Sequence, residues 1–160
     1  MKSVITLVLL FFASISAAVE VGDSAPNCEL NQLSKAKPVQ LANPGKVTYI
    51  DFWASWCGPC EKSMPFLAET NTELKGKDFK LIAVNLDESK KDAEQFLKKH
   101  NVNFTIAADP DNECANTYGV VVMPSSYLID KKGKVRHVQL GFNVEDKKEL
   151  RELINKLLAE

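Results

Sequence analysis

Two hydrophobic periods divide this chain. Val47 to Trp53 is an apolar run interrupted by one acid, Asp51, and reads as a central strand. Phe79 to Leu86 is a second run, apolar enough to be buried on both faces. Phe104 to Ala108, Ser125 to Asp130 and Val135 to Leu140 are shorter strands, the last two joined by a Lys131-Lys132-Gly133-Lys134 hairpin turn. Between the strands the spacing becomes helical. From Pro59 to about Leu74, the residues Met64, Leu67, Ala68, Asn71 and Leu74 share one side, and Pro65 predicts a kink. Further helices are predicted within Asp87 to Asn101, from about Asn112 to Tyr118, and from about Glu145 to Leu158. Glu29-Leu30 and Val39 to Leu41 read as short edge strands, set off by the turn Asn43-Pro44-Gly45-Lys46. This order predicts an α/β fold, a mixed central sheet with helices on both faces, and a single domain without repeats.

The N-terminus departs from that pattern. Met1-Lys2-Ser3 is a basic start, Val4 to Ala13 is apolar apart from Thr6, and Ser14 to Ala18 is small. Ser16 and Ala18 occupy the −3 and −1 positions of a signal peptidase site, so residues 1–18 are expected to be a cleavable signal peptide and 19–160 the domain. The apolar run is short for a membrane span; an uncleaved signal anchor is the alternative. No cysteine near the cleavage point offers a lipid attachment. Export, to a periplasm or otherwise outside the cytoplasm, would put the four cysteines in an oxidising compartment. Composition adds bounds. The 160 residues are 45% hydrophobic, enough for a real core, and 20 basic residues against 21 acidic give a net charge of −1. That balance points away from nucleic acid as a partner.

Chemistry concentrates in Trp56-Cys57-Gly58-Pro59-Cys60. Two thiols separated by two residues close a small disulfide ring. At a helix N-terminus, unpaired N–H groups and the helix dipole favour a thiolate on the first sulfur. Such a thiolate is a usable nucleophile and a good leaving group near neutral pH, so the stretch reads as a thiol–disulfide exchange centre. A structural zinc site needs about four ligands; His100 and His137 stand at no finger-like spacing, and no metal is expected. Both histidines read as surface residues without chemistry.

These residues, preceded by Asp51-Phe52-Trp53-Ala54 and completed by Met123-Pro124, resemble the thioredoxin superfamily, and the length and layout are similar to its exported TlpA/ResA-type reductases. The leading Ala25-Pro26 is similar too, and the resemblance covers roughly residues 21–158. It implies a thioredoxin-like fold with one inserted helix and strand, about Ser89 to Ala107, ahead of a cis-proline loop. It implies catalytic roles for four residues. Cys57 attacks the partner and Cys60 resolves the mixed disulfide. Asp51 is a buried acid that moves the proton of Cys60. Pro124 forms a cis bond facing the sulfurs and turns Met123 toward an extended substrate. Gly58 and Pro59 go with a reducing poise, and Trp56 joins an apolar docking rim while Trp53 is core. The bland alternatives are a water-facing Asp51 at a strand edge and an ordinary trans turn at Pro124. Relatives of the TlpA/ResA type often carry a glutamate three residues after the second cysteine; here that position is Ser63. Cys28 and Cys114 are expected either as a structural disulfide or as two buried free thiols, with a resolving role as a lesser option.

The function this implies is an exported thiol–disulfide oxidoreductase that reduces cysteine-containing client proteins, apocytochromes among the candidates in cytochrome c maturation. A membrane-bound electron donor would recharge it, no cofactor is needed, and a monomer is expected. Oxidase or isomerase action, a thiol peroxidase, and a non-enzymatic chaperone or assembly factor are the competing readings.

Overall fold

The computed structural model describes residues 18–35, 37–100 and 102–160. The expected signal segment lies outside these residues, apart from Ala18. Among the described residues no helix is long and apolar enough to cross a membrane.

Seven strands form one sheet in the order β2-β1-β5-β4-β3-β6-β7. Its middle is β3 (Val47–Trp53), with all seven residues buried. It runs parallel to β4 (Phe79–Asn85) and antiparallel to β6 (Ser125–Ile129). Beyond β4 lie β5 (Thr105–Ala108), parallel, then the antiparallel edge pair β1 (Glu29–Gln32) and β2 (Pro38–Gln40). On the other side β7 (Val135–Leu140) closes the hairpin with β6.

The unbroken apolar character of β3 follows from its covering on both faces. Tyr49 and Trp53 pack with Met64 and Leu67 of α1 (Gly58–Glu73), Phe96 of α2 (Lys90–Leu97), and Leu150, Ile154 and Leu157 of α4 (Lys147–Ala159). Ile50 and Phe52 point the other way, into Tyr118 of α3 (Glu113–Tyr118), Tyr127 and Leu41. The chain is therefore a thioredoxin-like α/β sandwich, and α2 with β5 is the helix and strand expected before Pro124.

Local details differ from the sequence pattern. Pro65 lies inside α1, which buries Cys60, Ser63, Phe66 and Thr70 besides the expected Met64 and Leu67. Phe66 is buried because Phe142 meets its ring at 6.0 Å and Arg151 lies over it at 5.4 Å. Asn71 stays half-exposed and donates to the Asn103 carbonyl at 2.9 Å. The last helix starts with a 3-10 turn, Val144–Asp146. His100 is not a surface residue: its ring stacks 4.4 Å from that of Phe96, and its Nε2 lies 3.7 Å from Glu61. His137 is half-buried on β7.

Two features tie down the N-terminal segment. Val19 is buried against α3 and donates its N–H to the Tyr118 carbonyl at 3.3 Å. Gly119 caps α3 with φ +72°, and a Cβ there would stand 2.5 Å from the Ala18 Cα, so only glycine fits. Further on, Cys28 is bonded to Cys114 of α3, with Cα atoms 6.0 Å apart and a sequence separation of 86. Closing a loop of that length restricts the unfolded chain, an effect typically worth about 2–4 kcal/mol. The double substitution Cys28→Ser/Cys114→Ser is expected to lower the unfolding free energy by about that amount in urea titrations. An unchanged midpoint would show that the bond contributes nothing to stability.

Candidate active site

The site begins where β3 ends. Ala54-Ser55-Trp56 turns the chain directly into α1, and Cys57 is the N-cap of that helix, in extended conformation (φ −90°, ψ 101°). The Cys60 N–H points at the Cys57 Sγ from 3.2 Å, and the Cys57 carbonyl accepts from Cys60 and Glu61 at 3.1 and 3.3 Å. Pro59 occupies an early helical position, where a missing N–H costs nothing. The Cys57 sulfur thus sits at the positive end of a sixteen-residue helix. It is bonded to Cys60, with Cα atoms 5.2 Å apart. The two are not equivalent. Cys57 is 6% exposed and lines an open groove, whereas Cys60 is fully buried in the core. Trp56 projects outward at 71% exposure, while Trp53 is enclosed, its ring 5.0 Å from Phe96.

Asp51 is 1% exposed, so the structure places it in the interior rather than at a water-facing strand edge. Strand alternation puts it on the face of Tyr49 and Trp53, the face covered by α1 and reached by Cys60. Ser126, its cross-strand neighbour on β6, donates Oγ–H to Asp51 Oδ1 at 2.6 Å. Among the described residues Oδ2 has no partner. Burial pushes the carboxyl up to about 7, and the Ser126 hydrogen bond offsets only part of that. The same burial, with the nearby Asp51 charge, raises the Tyr49 phenol.

The Met123–Pro124 peptide is cis, with Pro124 buried and Met123 half-buried at the groove. Among the described residues neither the amide nor the carbonyl of Met123 has a hydrogen-bonding partner. Gly58 and Pro59 are exposed beside the disulfide and line the same groove, whose volume is about 1040 Å3. Ser63 turns inward and donates to the Cys60 carbonyl at 2.9 Å. Cys28 and Cys114 are bonded to each other, away from Cys57 and Cys60. Among the described residues no three His, Cys, Asp or Glu side chains converge as a metal would require.

One participant is not apparent from the motif. Asp87 lies just past the end of β4 and is buried. It accepts from the Ser55 N–H at 3.0 and 3.2 Å, from the Ser55 hydroxyl at 2.8 Å and from the Asn85 amide at 2.6 Å. This carboxylate fixes the backbone two residues before Cys57. Parallel pairing of Trp53 with Asn85 brings it there, a register that sequence spacing does not reveal.

The family model described as Redoxin matches residues 20–154. A thiol-disulfide oxidoreductase ResA of Bacillus thuringiensis subsp. konkukian is 36% identical over 140 residues, covering 87% of this chain and 79% of the relative. The ResA of Bacillus subtilis is 33% identical over 129 residues, covering 80% of this chain and 72% of its own. A Chlorobium tepidum structure assigned as a thiol:disulfide interchange protein DsbE superposes with a TM-score of 0.83. It is 42% identical and covers 88% of this chain and 99% of its own.

Proposed function

This chain belongs to the redoxin family and is a thiol–disulfide oxidoreductase, and from that premise we propose that Cys57 and Cys60 form its redox centre and that it works as an exported reductase of client proteins. The observation that carries the proposal is the asymmetry of the pair: one sulfur at a helix N-terminus facing an open groove, the other sealed beneath it.

In the reduced protein the Cys57 thiolate attacks a client disulfide. The client S–S bond breaks, a Cys57–client S–S bond forms, and one client sulfur leaves as thiolate and takes a proton. Cys60, deprotonated by the Asp51 carboxylate, then attacks the Cys57 Sγ. The mixed disulfide breaks, the second client thiolate is released and protonated, and the Cys57–Cys60 bond closes. Two electrons have moved from this dithiol to the client. A membrane-bound dithiol donor returns them by the reverse exchange. An acid near 7 suits Asp51 to take and return that proton at neutral pH. The free backbone of Met123 beside the cis Pro124 supports pairing with an extended client segment, and the exposed Trp56 supports an apolar contact beside it. Export rests on the signal-like pattern of residues 1–18, and the client class includes the cysteine pairs of apocytochromes.

The test is trapping. With Cys60→Ser, the first exchange proceeds and the second cannot, so an exported, tagged variant is expected to accumulate client proteins covalently bound to Cys57 and released by dithiothreitol. Loss of these adducts in a Cys57→Ser/Cys60→Ser control completes the expected result. Adducts that form only when the clients are supplied as free thiols, and Cys57 as a mixed disulfide with a small thiol that the client displaces, would reverse the direction to oxidation.

A further inference from the structure

The groove beside Cys57 has two chemically distinct linings. One is apolar and exposed: Trp56 at 71%, Val121 at 83% and Val122 at 45%. The other is acidic. Glu88, on the link from β4 to α2, Asp92, in the first turn of α2, and Asp111, on the link from β5 to α3, are exposed, and among the described residues none has an ion-pair partner. Among the described residues no lysine, arginine or histidine lines the groove. The chain as a whole is nearly neutral, at −1, so this segregation is not a background of acidic composition. Asp92 has a local use in the first turn of α2, but Glu88 and Asp111 do not share that helix turn.

We infer that the groove selects its substrate by charge: the preferred client segment is extended, presents an apolar residue to Trp56 and Val121, and carries lysine or arginine beside its disulfide. The inference rests on the reading of Cys57–Cys60 as the redox centre. An open groove leaves such pairs hydrated, so each contributes modestly, and their sum acts on encounter and orientation more than on the sulfur chemistry. Apolar contact supplies adhesion that charge alone does not. Salt weakens the selection, because the Debye length shrinks from about 10 Å at 0.1 M to about 3 Å at 1 M.

The experiment uses the full domain, reduced with dithiothreitol and freed of it, against two peptide disulfides alike except for two lysines or two glutamates flanking the cysteines. Each rate is divided by the same protein's rate on a small uncharged disulfide, which cancels any general change at Cys57. The lysine peptide is expected to react roughly tenfold faster at low salt, with the ratio falling toward one at 1 M. The substitutions Glu88→Lys/Asp92→Lys/Asp111→Lys are expected to invert the preference. Equal normalised rates for both peptides, insensitive to salt in the unsubstituted protein, would overturn the inference even if the triple variant failed to fold. Absence of exchange with the uncharged disulfide as well would instead overturn the redox-centre reading, and the inference with it.

Discussion

Cys57→Ser is expected to abolish turnover on every disulfide substrate, whereas Cys60→Ser retains the first half of the reaction. A serine oxygen forms no disulfide, and its hydroxyl is scarcely ionised at neutral pH, so the loss exceeds ~10³-fold and is limited by assay background. The asymmetry comes from burial. Cys57 lines the groove, while Cys60 is covered by the core and meets only the sulfur beside it. In stopped-flow mixing with a chromogenic aromatic disulfide, Cys60→Ser should release one equivalent of chromophore in a burst and then stop. Equal bursts from both single variants would mean that either sulfur can start the reaction, and the assignment of Cys57 would fall.

Asp51→Asn is expected to act on rate and stability with opposite signs. The folded carboxyl titrates near 7, well above its ordinary 3.8. Below the ordinary value Asp51 is protonated in both states. As pH rises from about 4 toward 7 the unfolded chain loses the proton and the folded one keeps it, so this group's contribution to stability falls through that window. Above 7 the buried charge carries its full cost, an upper figure of roughly 4 kcal/mol. Asparagine does not titrate, so unfolding free energies of variant and parent should diverge across that window, the variant ending more stable at pH 8. Exchange should slow by ~10²-fold, and the inflection near pH 7 in its rate profile should disappear. A parent profile without that inflection would remove Asp51 from the proton path.

The architecture was legible because its signals are local. Val47 to Trp53 and Phe79 to Asn85 are apolar on both faces only if both faces are covered, and that requirement already implies helices above and below the sheet. Pro59 and the spacing out to Leu74 place the first helix, but they miss part of its buried face, because Phe66 is covered by Phe142, a residue far along the chain. His100 escapes a sequence reading for the same reason: its partner Phe96 is one turn away, but Phe96 is itself held against Trp53 of the central strand. At the site, Cys57, Cys60 and Met123-Pro124 stand out as spacing and as neighbours in sequence. The partners that tune them do not. Ser126 reaches Asp51 across an antiparallel register and Asp87 reaches Ser55 across a parallel one, pairings fixed by the sheet as a whole. Groove charge is equally hidden, since Glu88, Asp92 and Asp111 converge from two loops and the first turn of α2 while the net charge stays near zero.

The contact of Ala18 with Gly119 also decides how the domain can be tethered. Gly119 leads directly into Val120, Val121 and Val122, which wall the groove, and the chain enters the fold against it. Anything joined ahead of Ala18 starts within a residue or two of that wall. For a surface anchor or an affinity tag placed there, linker length sets how near the groove it is held. Immobilisation through that end, in a sensor chip or a capture resin, calls for a long spacer if client binding is the quantity to be measured.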